Sequence, residues 1–362
     1  MEPDIKPKLW ARFILWVKRH RIVLLSVGGV IFVAVITLMS FILFFQKPVE
    51  VAKAPVVEVK VVPEPIKYYS PLTGSLVADE AATKQAVTAI MIENSPDARP
   101  QSGIKKAGVV FEAIAEGGIT RFLTLFQEQK PQLIGPVRSL RMYYVDWLAA
   151  FNASVAHVGG SAASLTEIRN GSYRDIDQFF NSASYWRATD RYAPHNVYTS
   201  FAKLDALNKA KGYTTSSFDG FTRIDGKPSA KPNAKSVIIN ISSVLYNTSY
   251  TFDAKTNTYA RSLGGVPHLD RENGQITPSV VIALKVNEST VLEDGYRQKI
   301  DTIGSGDAVI FQNGDAINAT WSKASRKDQI QFTDIKGKDI PLVRGQTWTS
   351  AVPNGSGSVS WQ

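Results

Sequence analysis

The sequence predicts an α+β protein with a single N-terminal transmembrane helix, an α/β mixed-sheet domain and then a smaller β-rich domain. Three observations predict it. One long uncharged apolar run stands near the N-terminus, strand-length and helix-length patterns mix over residues 71–212, and short strands separated by turn signals take over from residue 236. At 362 residues the chain has room for two globular units plus extras. Hydrophobic residues at 44% and charged residues at 20% exclude a disordered or fibrous chain. There is no cysteine, which excludes disulfides, thiol nucleophiles, iron–sulfur clusters and cysteine zinc sites. Four histidines argue against a histidine-rich metal centre, and neither metal nor cofactor is expected.

The net charge of +9 is unevenly spread. Residues 1–21 hold six basic side chains (Lys6, Lys8, Arg12, Lys18, Arg19, Arg21) against Glu2 and Asp4. Most of the chain is only mildly basic, so no nucleic-acid partner is expected, since that needs a concentrated patch. The apolar run opens at Ile22, closes at Phe45 and carries no charge. As a helix it spans about 36 Å, enough for a hydrocarbon core of about 30 Å. The rival reading is a cleaved signal peptide, whose apolar core is only about 7–15 residues long and ends in a small-residue cleavage site. Here the run is longer and ends Leu43-Phe44-Phe45-Gln46-Lys47-Pro48. An uncleaved anchor in the lipid bilayer is therefore expected. Lys18, Arg19 and Arg21 place the tail, residues 1–21, in the cytoplasm and the bulk outside the plasma membrane. Trp10 and Trp16 suit the interface.

Residues 46–70, rich in Val, Lys, Glu and Pro, read as a stiff extended spacer, with an edge strand over 56–62 left open. In the first domain, 71–212, strands are expected over 87–92, 109–114 and 154–157. A hairpin is expected from 120–127 and 133–138, around Lys130-Pro131. Helices are expected over 143–151, 162–169 and 201–211, the last with caps at Thr199-Ser200 and Gly212. Residues 213–235 are rich in Ser, Thr, Gly, Lys and Pro and read as a linker. Over 236–353 the expected strands are 237–241, 249–252, 258–261, 279–286, 308–312, 316–321 and 330–332, with 354–362 as a tail.

Four constellations can carry chemistry. In Glu116-Gly117-Gly118-Ile119-Thr120-Arg121 a carboxylate stands at a strand end, suited to proton transfer or to pairing with Arg121. Arg138 and Arg141, three apart after a strand, can aim two forks at one phosphate or carboxylate, or form separate salt bridges. His157-Val158-Gly159-Gly160-Ser161 places a glycine turn before a helix, either an anion cradle with His157 at its mouth or a simple tight turn. The stretch 185–198 crowds Arg187, Asp190, Arg191, His195 and Asn196 among aromatics, which suits sugar rings bearing acidic groups. A metal between His157 and His195 lacks a ligand-spaced motif. Trp321 and Trp348 suit a core, and His268 with Asp270 a local turn.

At these motifs the chain resembles the YerB-like family of bacterial envelope proteins, over roughly residues 70–353. The runs that carry the resemblance are Pro71-Leu72-Thr73-Gly74, Ala98-Arg99-Pro100-Gln101-Ser102-Gly103, Glu116-Gly117-Gly118-Ile119-Thr120-Arg121, Gly135-Pro136-Val137-Arg138-Ser139 and Pro194-His195-Asn196. In the second domain they are Pro267-His268-Leu269-Asp270, Gly304-Ser305-Gly306 and Gly345-Gln346-Thr347-Trp348. The resemblance implies outward placement, through a lipid-modified cysteine in typical members and through the apolar helix here. It implies a two-domain fold of unknown function and no particular reaction.

Thr120-Arg121-Phe122-Leu123 followed by Pro136-Val137-Arg138-Ser139 also resembles the LytR-CpsA-Psr wall-polymer transferases, which hold a polyprenyl pyrophosphate with arginines. Phe122 and Leu123 stand where their acidic metal ligand belongs, so magnesium-dependent transfer is not implied. The expectation is an envelope protein binding a cell-wall glycan or lipid-linked precursor through Arg121, Arg138, Arg141, Gly159, Gly160, Ser161, Arg187, Asp190, Arg191 and Asn196. Glu116, His157 and His195 are its proton-transfer candidates. A scaffold for an envelope protein partner is the alternative.

Overall fold

The computed structural model describes residues 8–46, 66–291 and 297–362, so the spacer and its possible edge strand lie almost wholly outside the described residues. The chain divides into two compact units, residues 1–64 and 65–362. In the first, helix α1 (Lys8–Arg19) is followed by helix α2 (Arg21–Phe45). Among the described residues α2 is the helix long and apolar enough to cross a membrane. Its few hydroxyls bond back to the helix: Ser26 Oγ donates to Ile22 O at 2.6 Å and Thr37 Oγ1 to Val33 O at 2.7 Å. Those two hydroxyls therefore present no unsatisfied donor to a lipid environment.

The second unit is α+β, as the patterns predict. Its first half contains β1 (Thr88–Glu93), β2 (Val109–Glu116), β3 (Ile119–Phe126), α3 (Met142–Leu148), β4 (Ser154–Ala156), α4 (Ala162–Asn170), β5 (Arg174–Asp175) and α5 (Phe201–Ala210). The second half is β-rich: β6 (Ser236–Asn240), β7 (Thr248–Asp253), β8 (Thr258–Leu263), β9 (Val280–Val286), β10 (Glu288–Val291), β11 (Arg297–Ile300), β12 (Gly304–Gln312), β13 (Asp315–Lys323), β14 (Gln331–Thr333), β15 (Thr347–Pro353) and β16 (Ser358–Trp361).

One twelve-stranded mixed sheet runs through both halves in the order β14-β13-β12-β9-β15-β2-β3-β1-β4-β5, with the β10–β11 hairpin joined to β2. The seam is parallel pairing of β15 with both β9 and β2. A five-stranded sheet, in which β8, β7, β6 and β16 are successive neighbours, packs its apolar face (Ile239, Tyr250, Tyr259) against Val281, Ala283 and Phe311 of the large sheet. On the remaining faces α3 packs Tyr144 and Trp147 over Phe111, while α5 buries Phe201 and Leu204 beside Phe126 and Trp348.

Three expectations need correction. Residues 133–138 do not form a hairpin with β3. Gly117 (φ +57°) and Gly118 (φ +77°) turn β2 tightly into β3, and β1 takes the other edge of β3. Both edges being filled, residues 134–137 make only isolated bridges, to Thr199, Ser102 and Ile92. Residues 213–235 are not a free joint, because Arg223–Ile224 pairs in parallel with Leu342–Val343. The stretch 354–362 is not a loose tail: β16 pairs with β6 along its whole length.

Candidate anion-binding site

The β2–β3 hairpin positions the first cluster. A bulge between Ile114 and Glu116 shifts the register, which brings Glu116 onto the face of Arg121 instead of that of Ile114. There the carboxylate of Glu116 accepts from Arg121 Nη2 at 3.1 Å, from Arg141 Nε at 3.0 Å and Nη2, and from Arg297 Nη1 at 3.2 Å. Arg121 is further fixed by donating to Ser139 O at 2.8 Å. Three guanidiniums on one carboxylate leave an excess of two positive charges. The two hairpin-side arginines are buried, whereas Glu116 keeps 34% and Arg297 23% of its side chain open to solvent. Burial alone would raise the Glu116 carboxyl, but the charges and hydrogen bonds of Arg121 and Arg141 outweigh it and pull it down to about 2. Burial, reinforced by the charge of Arg121, lowers Arg141 to about 10, against the pull of Glu116. Glu116 is therefore held as the counter-ion of the three arginines.

Arg138 does not share the anion of Arg141. Its Nε lies 3.3 Å from Oε1 of Glu93, at the end of β1. The same oxygen faces Nδ1 of His195 at 2.9 Å and accepts from Ser95 Oγ at 3.1 Å. Ser95 Oγ also contacts that same nitrogen, at 3.1 Å. Serine and carboxylate thus meet one imidazole nitrogen, so His195 cannot relay a proton between them from opposite sides. The two clusters adjoin, since Glu93 and Arg121 are cross-strand partners. The segment 134–141 lies over both, anchored by Glu93 N to Pro136 O and Arg138 N to Met91 O, each 2.9 Å. Gly135 permits this close pass: a Cβ there would stand 2.8 Å from Val197 O.

The glycine turn is spent internally. Gly159 N donates to Asp177 Oδ1 at 3.1 Å and Ser161 N to Leu140 O at 3.2 Å. Ser161 caps α4 through Ser164 N, and a Cβ on Gly160 would meet Leu140 O at 3.0 Å. Gly159, Gly160 and Ser161 therefore pack the turn against residue 140. His157 is fully buried, its Nδ1 on Gly159 O at 2.8 Å and Nε2 on Asp175 Oδ1 at 3.0 Å. It stands at no mouth.

In the 185–198 loop, Asn196 holds the loop together, accepting from Arg187 Nη1 at 2.8 Å and donating to Ala188 O at 3.1 Å. Arg191 ties it to Asp97 O and Pro100 O, and Asp190 pairs with Arg271 at 2.6 Å. Arg187, Asp190 and Arg271 line a shallow cleft with Trp186 and Tyr198. Among the described residues no group of three or more metal-ligating side chains converges.

Sequence reasoning missed three features. Arg297, far along the chain, completes the Glu116 cluster; only its place in the short alternating pattern Arg297-Gln298-Lys299-Ile300 hinted at a strand. A closed buried ring also spans the seam: Thr120 Oγ1 to Glu112, Asn94 Nδ2 to Thr120, Gln101 Nε2 to Asn94, His268 Nε2 to Gln101, Arg261 Nε to His268 Nδ1, and Arg261 Nη2 to Glu112, all within 3.1 Å. His268 thus joins the halves and makes no turn with Asp270. Trp348, fully buried, donates to Glu112 at 3.0 Å, and Trp321 is core as expected. Third, a cavity of about 1040 Å³ opens at the far end of α3, with Phe218, Phe221 and Phe332 in its walls and Arg174, Lys323 and Lys327 balanced by Asp219, Asp328 and Asp339. The arginine cluster does not line it, so this hollow and the arginine cluster are separate features.

The comparisons with known proteins agree with this architecture. Residues 72–214 match the family model "Protein of unknown function (DUF3048) N-terminal domain", and residues 237–349 match its C-terminal counterpart. The chain is 33% identical over 294 residues to YerB of Bacillus subtilis (strain 168), a protein named as a lipoprotein, covering 80% of this chain and 87% of that one. The crystal structure of the YerB protein from Bacillus subtilis superposes with a TM-score of 0.72 at 30% identity, over 81% of this chain and all of that chain. With both family domains present in order and an apolar N-terminal helix consistent with membrane anchoring, the chain belongs to the YerB-like family, whose function is unknown.

Proposed function

We propose that the protein is held in the plasma membrane by α2, with residues 66–362 on the outer side, and binds an anionic group of a cell-wall glycan or lipid-linked wall precursor. The observation that carries this reading is the convergence of Arg121, Arg141 and Arg297 on one partly open carboxylate. Glu116 keeps the three forks gathered while leaving two charges uncompensated. A phosphate or carboxylate entering beside Arg297 gains charge-assisted, bidentate hydrogen bonds. Arg138, one cluster away, offers a further contact. Binding, not turnover, is the better fit, because Glu116 is ionised, His157 is enclosed and His195 meets both partners through one nitrogen.

The test uses the full chain in lipid nanodiscs, with a polyprenyl pyrophosphate and soluble wall-glycan fragments as separate probes. Arg297→Ala, at a partly open residue whose one ion pair among the described residues is with Glu116, is expected to weaken binding about tenfold, the worth of one charge-assisted contact, with no loss of fold by circular dichroism. Affinity unchanged in both Arg297→Ala and Arg138→Ala would remove the anion site and favour a protein-interaction scaffold. A reporter fused to the C-terminus, active only outside the membrane, checks the orientation.

A further inference from the structure

Helix α1 precedes the membrane span and is more than a loose charged tail. At 100° per residue, Leu9, Trp10, Phe13, Ile14, Trp16 and Val17 fall within an arc of roughly 160°. Arg12, Lys18 and Arg19 fall on the opposite side, where Leu15 is the one large apolar exception, and the helix contains no acidic residue. Among the described residues the apolar arc has no covering element: Trp10 is 73% exposed, Phe13 56% and Trp16 51%. At His20 the backbone leaves the helical region (φ −107°, ψ 14°), so α1 and α2 are separate regular segments joined by one distorted residue.

We infer that α1 is an interfacial anchor, lying in the headgroup layer with its apolar arc among the acyl chains and its arginines and lysine on anionic lipid headgroups. Two aromatics of interfacial type, a one-sided basic face and direct continuity with a membrane-spanning helix are the combination that such a surface selects. Positive charge without a single acid makes an anionic leaflet the complementary partner, and the distorted residue at His20 is where the chain turns from the membrane plane into the span. Were α1 to continue straight from α2, two tryptophans and a phenylalanine would stand in water. The inference is independent of the anion site in the second unit.

The chain holds no cysteine, so single-cysteine labelling is clean. Full-length Phe13→Cys, Val17→Cys, Arg12→Cys and Arg19→Cys variants, spin-labelled, are reconstituted in vesicles of phosphatidylcholine and phosphatidylglycerol. Accessibility to oxygen, which concentrates in lipid, is compared with accessibility to a water-soluble nickel chelate. Positions 13 and 17 are expected to favour oxygen several-fold and positions 12 and 19 the chelate. In pure phosphatidylcholine, chelate accessibility at position 13 is expected to rise several-fold. Equal aqueous accessibility at all four positions would overturn the proposal, as would shielding of position 13 from both reagents with spin–spin broadening, which marks a second copy of the helix as the occupant. The same depth in the neutral vesicles would overturn the anionic-lipid part.

Discussion

Glu112 and Glu116 stand four positions apart on β2 yet serve opposite purposes. Glu112 faces the seam, fully buried, and its oxygens accept from Thr120, Arg261, Trp348 and Ser350. The ring fixes its protons without ambiguity. Arg261 can only donate, so His268 Nδ1 must accept and Nε2 must carry the hydrogen given to Gln101. Burial, then the charges of Arg261 and Arg99, hold the His268 imidazole well below its usual range, in keeping with that neutral form. Glu112→Gln leaves the buried Arg261 without its counter-charge and is expected to cost about 3–5 kcal/mol in chemical denaturation; a loss below about 1 kcal/mol would mean the ring contributes little.

Glu116, by contrast, is half open. Because its folded pKa lies below the ordinary value of 4.5, its contribution is complete above pH 4.5 and fades as pH falls toward about 2. Discounted for solvent screening, it amounts to roughly 1–2 kcal/mol. Glu116→Gln should therefore flatten the acid limb of the stability curve between those pH values, while tightening the hold on an added anion. An unchanged acid limb would show that the three arginines gain nothing from Glu116.

At the scale of elements, the segment between the two family domains behaves as a strap. Arg223, within it, donates to Val343 O at 3.0 Å, Thr347 Oγ1 at 2.9 Å and Leu72 O at 2.6 Å, and burial lowers its guanidinium to about 10. Arg223→Ala strands three acceptors from three different parts of the fold and is expected to cost about 2–4 kcal/mol, read as a lower Tm. A Tm within one degree of the wild type would make the strap a passive linker after all. The sequence hid this role because its Ser, Gly and Pro content is what a flexible linker also shows. Elements with dense apolar runs, such as β1, β2 and β9, were legible, since burial on both faces leaves an unbroken hydrophobic signature. The β10–β11 hairpin and β16 were not, because their burial is shallow and their pairing is decided by distant strands. The site was legible by halves. Arg121, Arg138, Arg141 and Glu116 stand in local motifs, but whether two arginines share an anion depends on Glu93, and that is a matter of register. The glycine turn misled for a related reason: free backbone amides look the same in sequence as amides already claimed by Asp177 and Leu140.

For the molecule as a whole, β15 decides the architecture. It comes from the far end of the chain, is buried at all seven positions and runs parallel between β9 of its own half and β2 of the other. Removing it would expose the edge of β2, including Val109 and Phe111, and would take away Trp348 and Ser350 from Glu112. Unsatisfied strand edges and an unpaired buried carboxylate are costs that a half-molecule cannot meet. The two family domains are consequently expected to unfold together. Calorimetry on the full chain in detergent should show one transition for residues 66–362, with the calorimetric and van't Hoff enthalpies equal. A fragment ending at residue 235 should lack a dispersed NMR spectrum. Two resolved transitions, or a well-dispersed spectrum from that fragment, would show that each half closes its own core and that the shared sheet is only a docking contact.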